Sequence, residues 1–451
     1  MSGPASPGTR AAVGLALVLL LGALVWQGMP DAPSTPPVAA AAPVPATSAP
    51  APAEAIAMPG PPLLDPSFAA LAAAAASAAS APLAADEIEV CGVGRVKARD
   101  GHPLDRTLFV STAEQAHRQL VGALARHPDE MTRAAGLLLQ RDEGPAEANA
   151  AQPCEGAGCE ASAGGVEPDA RRLQRVVANE AQRDALARMA AATRSPAVYT
   201  LAWRACQASP GGSCQLLSTR QLVTLDPNNV DAWLEVASEA VQRGEPGAVD
   251  EAFYRASKAG TADLRWGQLG AIALRNLPPG TPALQRQAVA ERAMGIEAML
   301  AMPGFKSASQ YCDAAALRDA NRLQVCADLA EVMARRSTSL LDMAFGQMLG
   351  SRVGWPAERL QALRQDRNAI MQAMKAVAAA PGSEWSCAHI ERSTRWVLDV
   401  GQFGEVGAAR MLMARTGQDP AVLARKYEEE RSAAAARAAS GAASGAVALT
   451  Q

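Results

Sequence analysis

Eight cysteines, four histidines and a mixed set of carboxylates are the residues of this chain with the most chemistry in them. The cysteines are Cys91, Cys154, Cys159, Cys206, Cys214, Cys312, Cys326 and Cys387. Thiols in pairs close disulfides, and thiols or imidazoles at fixed short spacing hold zinc. The C-x4-C at Cys154 and Cys159 and the C-x7-C at Cys206 and Cys214 are not zinc-knuckle spacings. No histidine stands beside a cysteine pair, although His389 lies near Cys387, and there is no redox C-x-x-C. The pattern favours structural disulfides over a metal site. Cys206 and Cys214 flank the turn Pro210-Gly211-Gly212, and Cys154 and Cys159 bracket Gly156-Ala157-Gly158. Cys312 and Cys326 on one straight helix would lie about 21 Å apart, beyond bonding reach, so a bridge there requires a turn near Asp319-Ala320-Asn321. Cys91 and Cys387 are left over. Joining them would tie the start of the folded body to its end.

The histidines His102, His117, His127 and His389 never fall at the i,i+4 spacing of a zinc helix. No G-x-S-x-G elbow and no Walker loop occurs. Gly92-Val93-Gly94 lacks a third glycine and a following helix, so it reads as a cap rather than a nucleotide loop. Glu384, His389 and Glu391 share one predicted helix and are the acid–base candidates; solvated charges on a helix face are the simpler reading. The sequence therefore assigns no catalytic residue, no metal ligand and no cofactor.

The elements that position these residues are helical. The chain has 451 residues and a formal charge of −3, with both signs well mixed and 4% aromatics. No basic face or tail marks a nucleic-acid partner. Strong helix formers dominate, so the folded part is expected to be all-α. Ala11 to Met29 runs about 19 residues without a charge, enough to cross a hydrocarbon core of roughly 30 Å. Arg10 precedes it and no Lys or Arg follows until Arg95, which places residues 1–10 in the cytoplasm and the rest outside it. A cleaved signal peptide is the rival. The nearest A-x-A site, Ala39-Ala40-Ala41, lies well beyond the apolar run, which favours an uncleaved signal-anchor at 11–29.

Residues 30–86 form a Pro/Ala-rich linker whose composition cannot offset the entropy of ordering. In extended form, at about 3.1 Å per residue, it reaches well beyond roughly 100 Å. Residues 432–451 are a second low-complexity end, an Ala/Ser-rich tail expected to be disordered. Between them, 87–431 is expected to be a disulfide-stapled helical domain. Glu87 to Ala98 alternates loosely, as a short strand or extended cap. A capping box at Ser111 to Glu114 opens the first helix, to about residue 126. Helices follow after Pro128, at about 169–193, 196–208, 213–225, 229–243, 247–259, 262–276, 281–301, 306–318, 320–335, 338–352, 356–379, 383–399, 403–415 and 419–431, separated by Pro, Gly, Asp or Asn. Helices of this length with short connections stack as hairpins.

The most regular stretch is Leu225 to Gly260. Trp233, Val236, Ala237 and Ala240 mark the stripe of one helix, Gly244 to Gly247 turns, and Val249, Ala252, Phe253 and Ala256 mark a second. This stretch resembles a tetratricopeptide repeat, with Pro227-Asn228-Asn229 as the run-in. A degenerate copy 34 residues earlier uses Tyr199, Ala202, Trp203, Cys206, Leu222 and Pro227. Ala240 stands where the family has an aromatic, and Trp203 where it has a small residue. The resemblance covers roughly 65 residues. It implies a right-handed array of antiparallel helical hairpins, as a tetratricopeptide-like solenoid, with an irregular bundle as the alternative. It also implies a concave groove lined by Arg204, Gln207, Leu234, Glu235, Ser238 and Gln242 that would take a peptide or partner helix. The expectation is a membrane-anchored cell-envelope scaffold in the cytoplasmic (inner) membrane with its body in the periplasm, its partner a protein or peptide. An envelope hydrolase acting on cell-wall material through Glu or Asp, and a ligand-free structural spacer, are the alternatives.

Overall fold

The structure is a computed structural model, and it describes residues 83–84, 86–99, 102–103, 107–140, 180–378 and 383–448, with backbone only at 102–103, 107–113 and 438–448. The membrane segment expected at 11–29, the linker through residue 82 and the Cys154–Cys159 loop lie outside the described residues. Among the described residues no helix is long and apolar enough to cross a membrane.

The described chain is mostly α-helical. It opens with a small sheet, β1 (Glu87–Val90), β2 (Gly94–Arg99) and β3 (His102–Pro103), in antiparallel order β1-β2-β3 with Ile88 opposite Val96. Fifteen α-helices follow: α1 (Thr107–Leu124), α2 (Glu130–Leu139), α3 (Glu180–Ala192), α4 (Pro196–Ala208), α5 (Thr219–Leu225), α6 (Val230–Arg243), α7 (Pro246–Ser257), α8 (Gln268–Arg275), α9 (Ala283–Ala298), α10 (Phe305–Tyr311), α11 (Ala320–Arg335), α12 (Leu340–Arg352), α13 (Ala357–Lys375), α14 (Cys387–Thr416) and α15 (Pro420–Ala448).

Local signals explain most boundaries. Ser195 caps α4 by accepting from Val198 N–H, with Pro196 at the first helical position. Asp129 caps α2 through Thr132. Several expectations shift, among them the helix expected at 262–276, which begins only at Gln268 because Thr261 and Ala262 are held in bridges. Helix α1 starts at Thr107, so the Ser111–Glu114 box lies inside it. The single helix expected at 213–225 is a 3-10 turn (Gly212–Leu216) followed by α5, because Ser218 supplies a new N-cap. The 306–318 helix ends at Tyr311, where Cys312 is drawn into the turn toward Cys326. Helix α15 continues to Ala448, where a disordered tail was expected; Ala-rich chain without a stop signal prolongs a helix already formed, and 431–437 are exposed along it.

Three apolar cores follow one another. The first joins α1 to α4 with α8 and α9, around Leu120, Leu186 and Tyr199. The second joins α6, α7, α10, α11 and α12, with Phe253 stacked on Tyr311 at 4.1 Å between ring centroids. Fully burying a side chain such as Phe253 contributes about 1.5–3 kcal/mol. The third joins α12 to α15 around Met343, Ile370 and Met413. Hairpin α6–α7 packs on hairpin α11–α12 through the contact of α7 with α11. Helices α8 and α9 leave that sequence and pack on α14, and α9 also meets α1. The α8–α14 approach depends on glycine: a Cβ on Gly401 would lie 2.2 Å from Ala271 Cβ and 2.8 Å from Gly267 O. Helix α14 is itself two helices, broken at Gly404 (φ 70°).

Three disulfides staple this body. Cys206–Cys214 closes the hairpin after α4, Cys312–Cys326 ties α10 to α11, and Cys91–Cys387 ties the first strands to α14 across 296 residues. Beside the last of these, Cys91 N–H donates to Trp385 O at 2.8 Å. In the chain-entropy picture a loop that long contributes on the order of 5 kcal/mol, against about 3 kcal/mol for the 14-residue separation of Cys312 and Cys326. Replacing Cys91 and Cys387 together by serine is expected to lower the melting temperature by on the order of 5–10 °C under oxidising conditions. A calorimetric melt unchanged from the parent protein would remove the stapling role of this bond.

Candidate functional site

Several helices of the body begin at acidic residues. Asn229 caps α6 and Asp231 follows in its first turn; Ser339 caps α12 and Asp342 follows in its first turn. The segments just before these helices lie side by side. Gly260 N–H donates to Asn228 O at 3.0 Å and Val230 N–H to Thr261 O at 2.8 Å. Ala262 N–H donates to Arg336 O at 3.3 Å, Thr338 N–H to Ala262 O at 3.0 Å, and Val406 N–H to Thr338 O at 3.1 Å. Parallel bridges pair Asn229 with Thr261 and Ala262 with Ser337. Side chains fasten the same ladder. Asn229 Nδ2 donates to Asp263 O, Asp263 N–H returns a bond to Asn229 Oδ1, and Thr338 Oγ1 donates to Asp263 Oδ1 at 2.7 Å. At Gly404 a Cβ would lie 2.5 Å from Thr338 O, so glycine lets the broken α14 reach the ladder.

This ladder brings carboxyl groups together inside the protein. Asp342 (0% exposed), Glu297 (1%) and Asp231 (6%) are buried, and Glu235 and Glu405 are half-buried. Facing them is Arg204, 6% exposed, whose Nε donates to Ala301 O at 2.8 Å and Nη1 to Leu264 O at 3.0 Å. Its Nη2 has no protein partner, nor have both Asp231 carboxylate oxygens, Glu297 Oε2 and Asp342 Oδ1. A pocket bordered by Arg204, Arg265, Thr200 and Glu297 has room for about one water molecule.

Burial disfavours charge on these groups. It pushes Glu297 up to about 8, against the attraction of Arg204 and the N–H groups of Gly267, Gln268 and Leu269. It pushes Asp342 up to about 7, against the Ser339 hydroxyl, which donates to Oδ2 at 2.7 Å. Asp231 is raised well above the usual carboxylate range by burial, then by the neighbouring charges of Asp342 and Asp263. Burial also raises Glu235, although Trp203 Nε1 donates to it at 3.1 Å, and Glu405, although it accepts Leu340 N–H at 3.0 Å. Arg265 is paired with Asp226 at 2.6 Å. Cations are thus outnumbered there by carboxyl groups that burial makes harder to ionise. Among the described residues no cluster of His, Cys, Asp and Glu has the arrangement of a metal site.

The residues expected to line an open groove divide. Gln207 and Gln242 are exposed, and Glu235 and Ser238 are half-buried. Leu234 (0% exposed) and Arg204 are buried and line no open surface. The cause is the segment before α10, which lies across α6: a Cβ on Gly304 would sit 2.5 Å from Leu234 O and 3.0 Å from Ser238 Cβ. The expected stripe of α6 shifts with it, since Leu234, Ala237 and Ala240 are fully buried while Trp233 and Val236 are partly exposed. Glu384, His389 and Glu391 do not share a helix face. Glu384 lies in the turn before α14, His389 is buried in its first turn with Ser386 Oγ accepting its N–H, and Glu391 is exposed. Burial lowers the His389 pKa, helped by Arg392 and opposed by Glu384.

The cluster residues Asp231, Asp263, Glu297, Asp342 and Glu405 were missed in sequence. Asn229-x-Asp231 and Ser339-x-x-Asp342 read as caps at helix starts, which are normally solvated, and nothing local shows that the ladder buries them. Comparison with protein-family models, with curated proteins and with solved structures returns no match.

Arg204 is the buried guanidinium on which the surrounding carboxyls lean. Replacing Arg204 by Met is expected to cost about 3–5 kcal/mol in denaturant unfolding at neutral pH, because the carbonyls of Ala301 and Leu264 lose a charged donor. Adding Glu297→Gln to that variant recovers part of the loss. A loss below about 1 kcal/mol would show that the guanidinium is not coupled to its neighbours.

Proposed function

We propose that the protein is a membrane-anchored scaffold of the cell envelope whose helical body holds a protein or peptide partner. The observation that carries this reading is a disulfide framework built into stacked helical hairpins. Three intramolecular disulfides belong to an oxidising compartment. The uncharged segment 11–29, with Arg10 before it, supplies an anchor in the cytoplasmic membrane and leaves the body in the periplasm. The Pro/Ala-rich stretch behind it acts as the spacer.

In this reading α6–α7 and α11–α12 are units of a tetratricopeptide-like, right-handed array, with α8 to α10 inserted between them. Contact with a partner falls to the accessible residues of the expected groove, Gln207 and Gln242 at its exposed positions and Glu235 and Ser238 beside them. Arg204 and Leu234 serve the body that presents them. A hydrolase built on the raised carboxyls of Glu297 and Asp342 is less well supported, because the pocket beside Glu297 accommodates about one water and no glycan and Asp342 is fully buried.

The test uses the full-length protein, tagged and extracted in detergent under oxidising conditions. It is expected to retain a defined set of envelope proteins, and Gln207→Ala with Gln242→Ala is expected to weaken retention by about fivefold or more. Undiminished retention by that double variant overturns the groove assignment. Failure to retain any protein overturns the scaffold in favour of a spacer. Alkaline carbonate washing should leave the protein in the membrane fraction, and release without detergent would remove the anchor.

A further inference from the structure

The carboxyl cluster sits where the loops of successive hairpins are joined through backbone hydrogen bonds. The charged and titratable side chains around it are Arg204 from α4; Asp231 and Glu235 from α6; Asp226, Asp263 and Arg265 from the loops before α6 and α8; Glu297 from α9; Asp342 from α12; and Glu405 from α14, with the exposed Arg336 at the ladder's edge. Asp226 and Arg265 neutralise each other. Asp231, Glu235, Asp263, Glu297, Asp342 and Glu405 remain against one guanidinium. The oxygens of Asp231 lack any donor, and so do one oxygen each of Glu297 and Asp342. Buried carboxylates without donors are costly, and neighbouring ones repel. A protonated carboxyl carries no charge to desolvate and does not repel its neighbour, so a cluster of this composition is far less costly to bury while it holds its protons.

We propose that this cluster is a proton-operated latch: while it holds its protons the loop ladder of 228–230, 260–263, 336–340 and 404–406 is closed, and when it loses them the ladder opens locally, leaving the disulfide-stapled hairpins folded. The location supports local opening. The ladder is a handful of hydrogen bonds between loops with partly exposed residues at Thr261, Ser337 and Thr338, whereas the helices on either side are fixed by their own cores and by Cys206–Cys214 and Cys312–Cys326. The sign follows from the raised pKa values. The closed state binds more protons than the open one between the ordinary carboxyl range near 4 and the folded values, about 7 for Asp342 and about 8 for Glu297. Stability of the ladder is therefore complete at the acidic end of that window and is lost as pH rises through it. One proton released per opening changes the open population about tenfold per pH unit. A body held outside the cytoplasm meets the pH of its surroundings, which gives such a latch a signal to read.

Hydrogen exchange followed by mass spectrometry tests this on the intact oxidised protein, each rate divided by the intrinsic rate at its pH. Amides of 260–264 and 336–340 are expected to lose protection by about tenfold or more between about pH 5.5 and about pH 8.5, while amides of α7 and α11 keep theirs. In Asp342→Asn with Glu297→Gln the ladder amides should stay protected at both values. Equal protection of the ladder at both pH values, or loss shared by all helices, overturns the latch, as does an unchanged pH response in the double variant. If that variant fails to fold, the single changes Asp342→Asn and Glu297→Gln replace it, and an unchanged response in both is equally decisive.

Discussion

A guanidinium buried with more carboxyls than it can neutralise governs how this body holds together. Arg204 spends two of its nitrogens on the carbonyls of Leu264 and Ala301, which fixes the segments that enter α8 and α10. The acids around it arrive from α6, α9, α12 and α14. Several sit at helix N-termini, where N–H groups favour negative charge by about 0.3–2 kcal/mol. Burial works against that and wins, since Glu297 is raised despite the N–H groups of Gly267, Gln268 and Leu269. The polar centre is thus a compromise between dipoles that invite charge and surroundings that reject it.

The first two apolar cores each draw on helices separated in the chain, α1 to α4 with α8 and α9, and α6 and α7 with α10 to α12. What joins them is the chain of loop contacts from Asn228 to Val406, together with Arg204 and its acids. Small residues permit the approach. Gly304 lets a connecting segment press onto α6, and Gly404 breaks a helix so that its second half begins beside Thr338. The helices α8 and α9, diverted toward α14 and α1, turn a succession of hairpins into a body with contacts between distant parts of the chain.

Much of this was legible beforehand and some was not, for identifiable reasons. The bounds of α4 and α11 follow from Ser195-Pro196 and Asp319, whose signals lie within a few residues. The three described disulfides were reachable because turns at Pro210 and Asp319 left few geometric options and Cys91 and Cys387 were what remained. The face of α6 was misjudged because Leu234 owes its burial to Gly304, 70 positions later, and no local periodicity carries that information. The acid cluster was hidden for the same reason. Asp231 and Asp342 have the spacing of ordinary caps, and only the stacking of loops 75 residues apart removes them from water.

The Cys91–Cys387 bond also sets how the body would carry mechanical load. It stands at the first strand after the linker, and its other end is the first residue of α14. Tension applied at residue 86 reaches Cys91 and passes through the covalent bridge to Cys387. Residues 92–386, which hold the first two cores and the ladder segments 228–230, 260–263 and 336–340, form a closed loop off that line and are shielded from extension. Only α14 and α15 lie in series with the pull. The greater part of the body would keep its shape under strain.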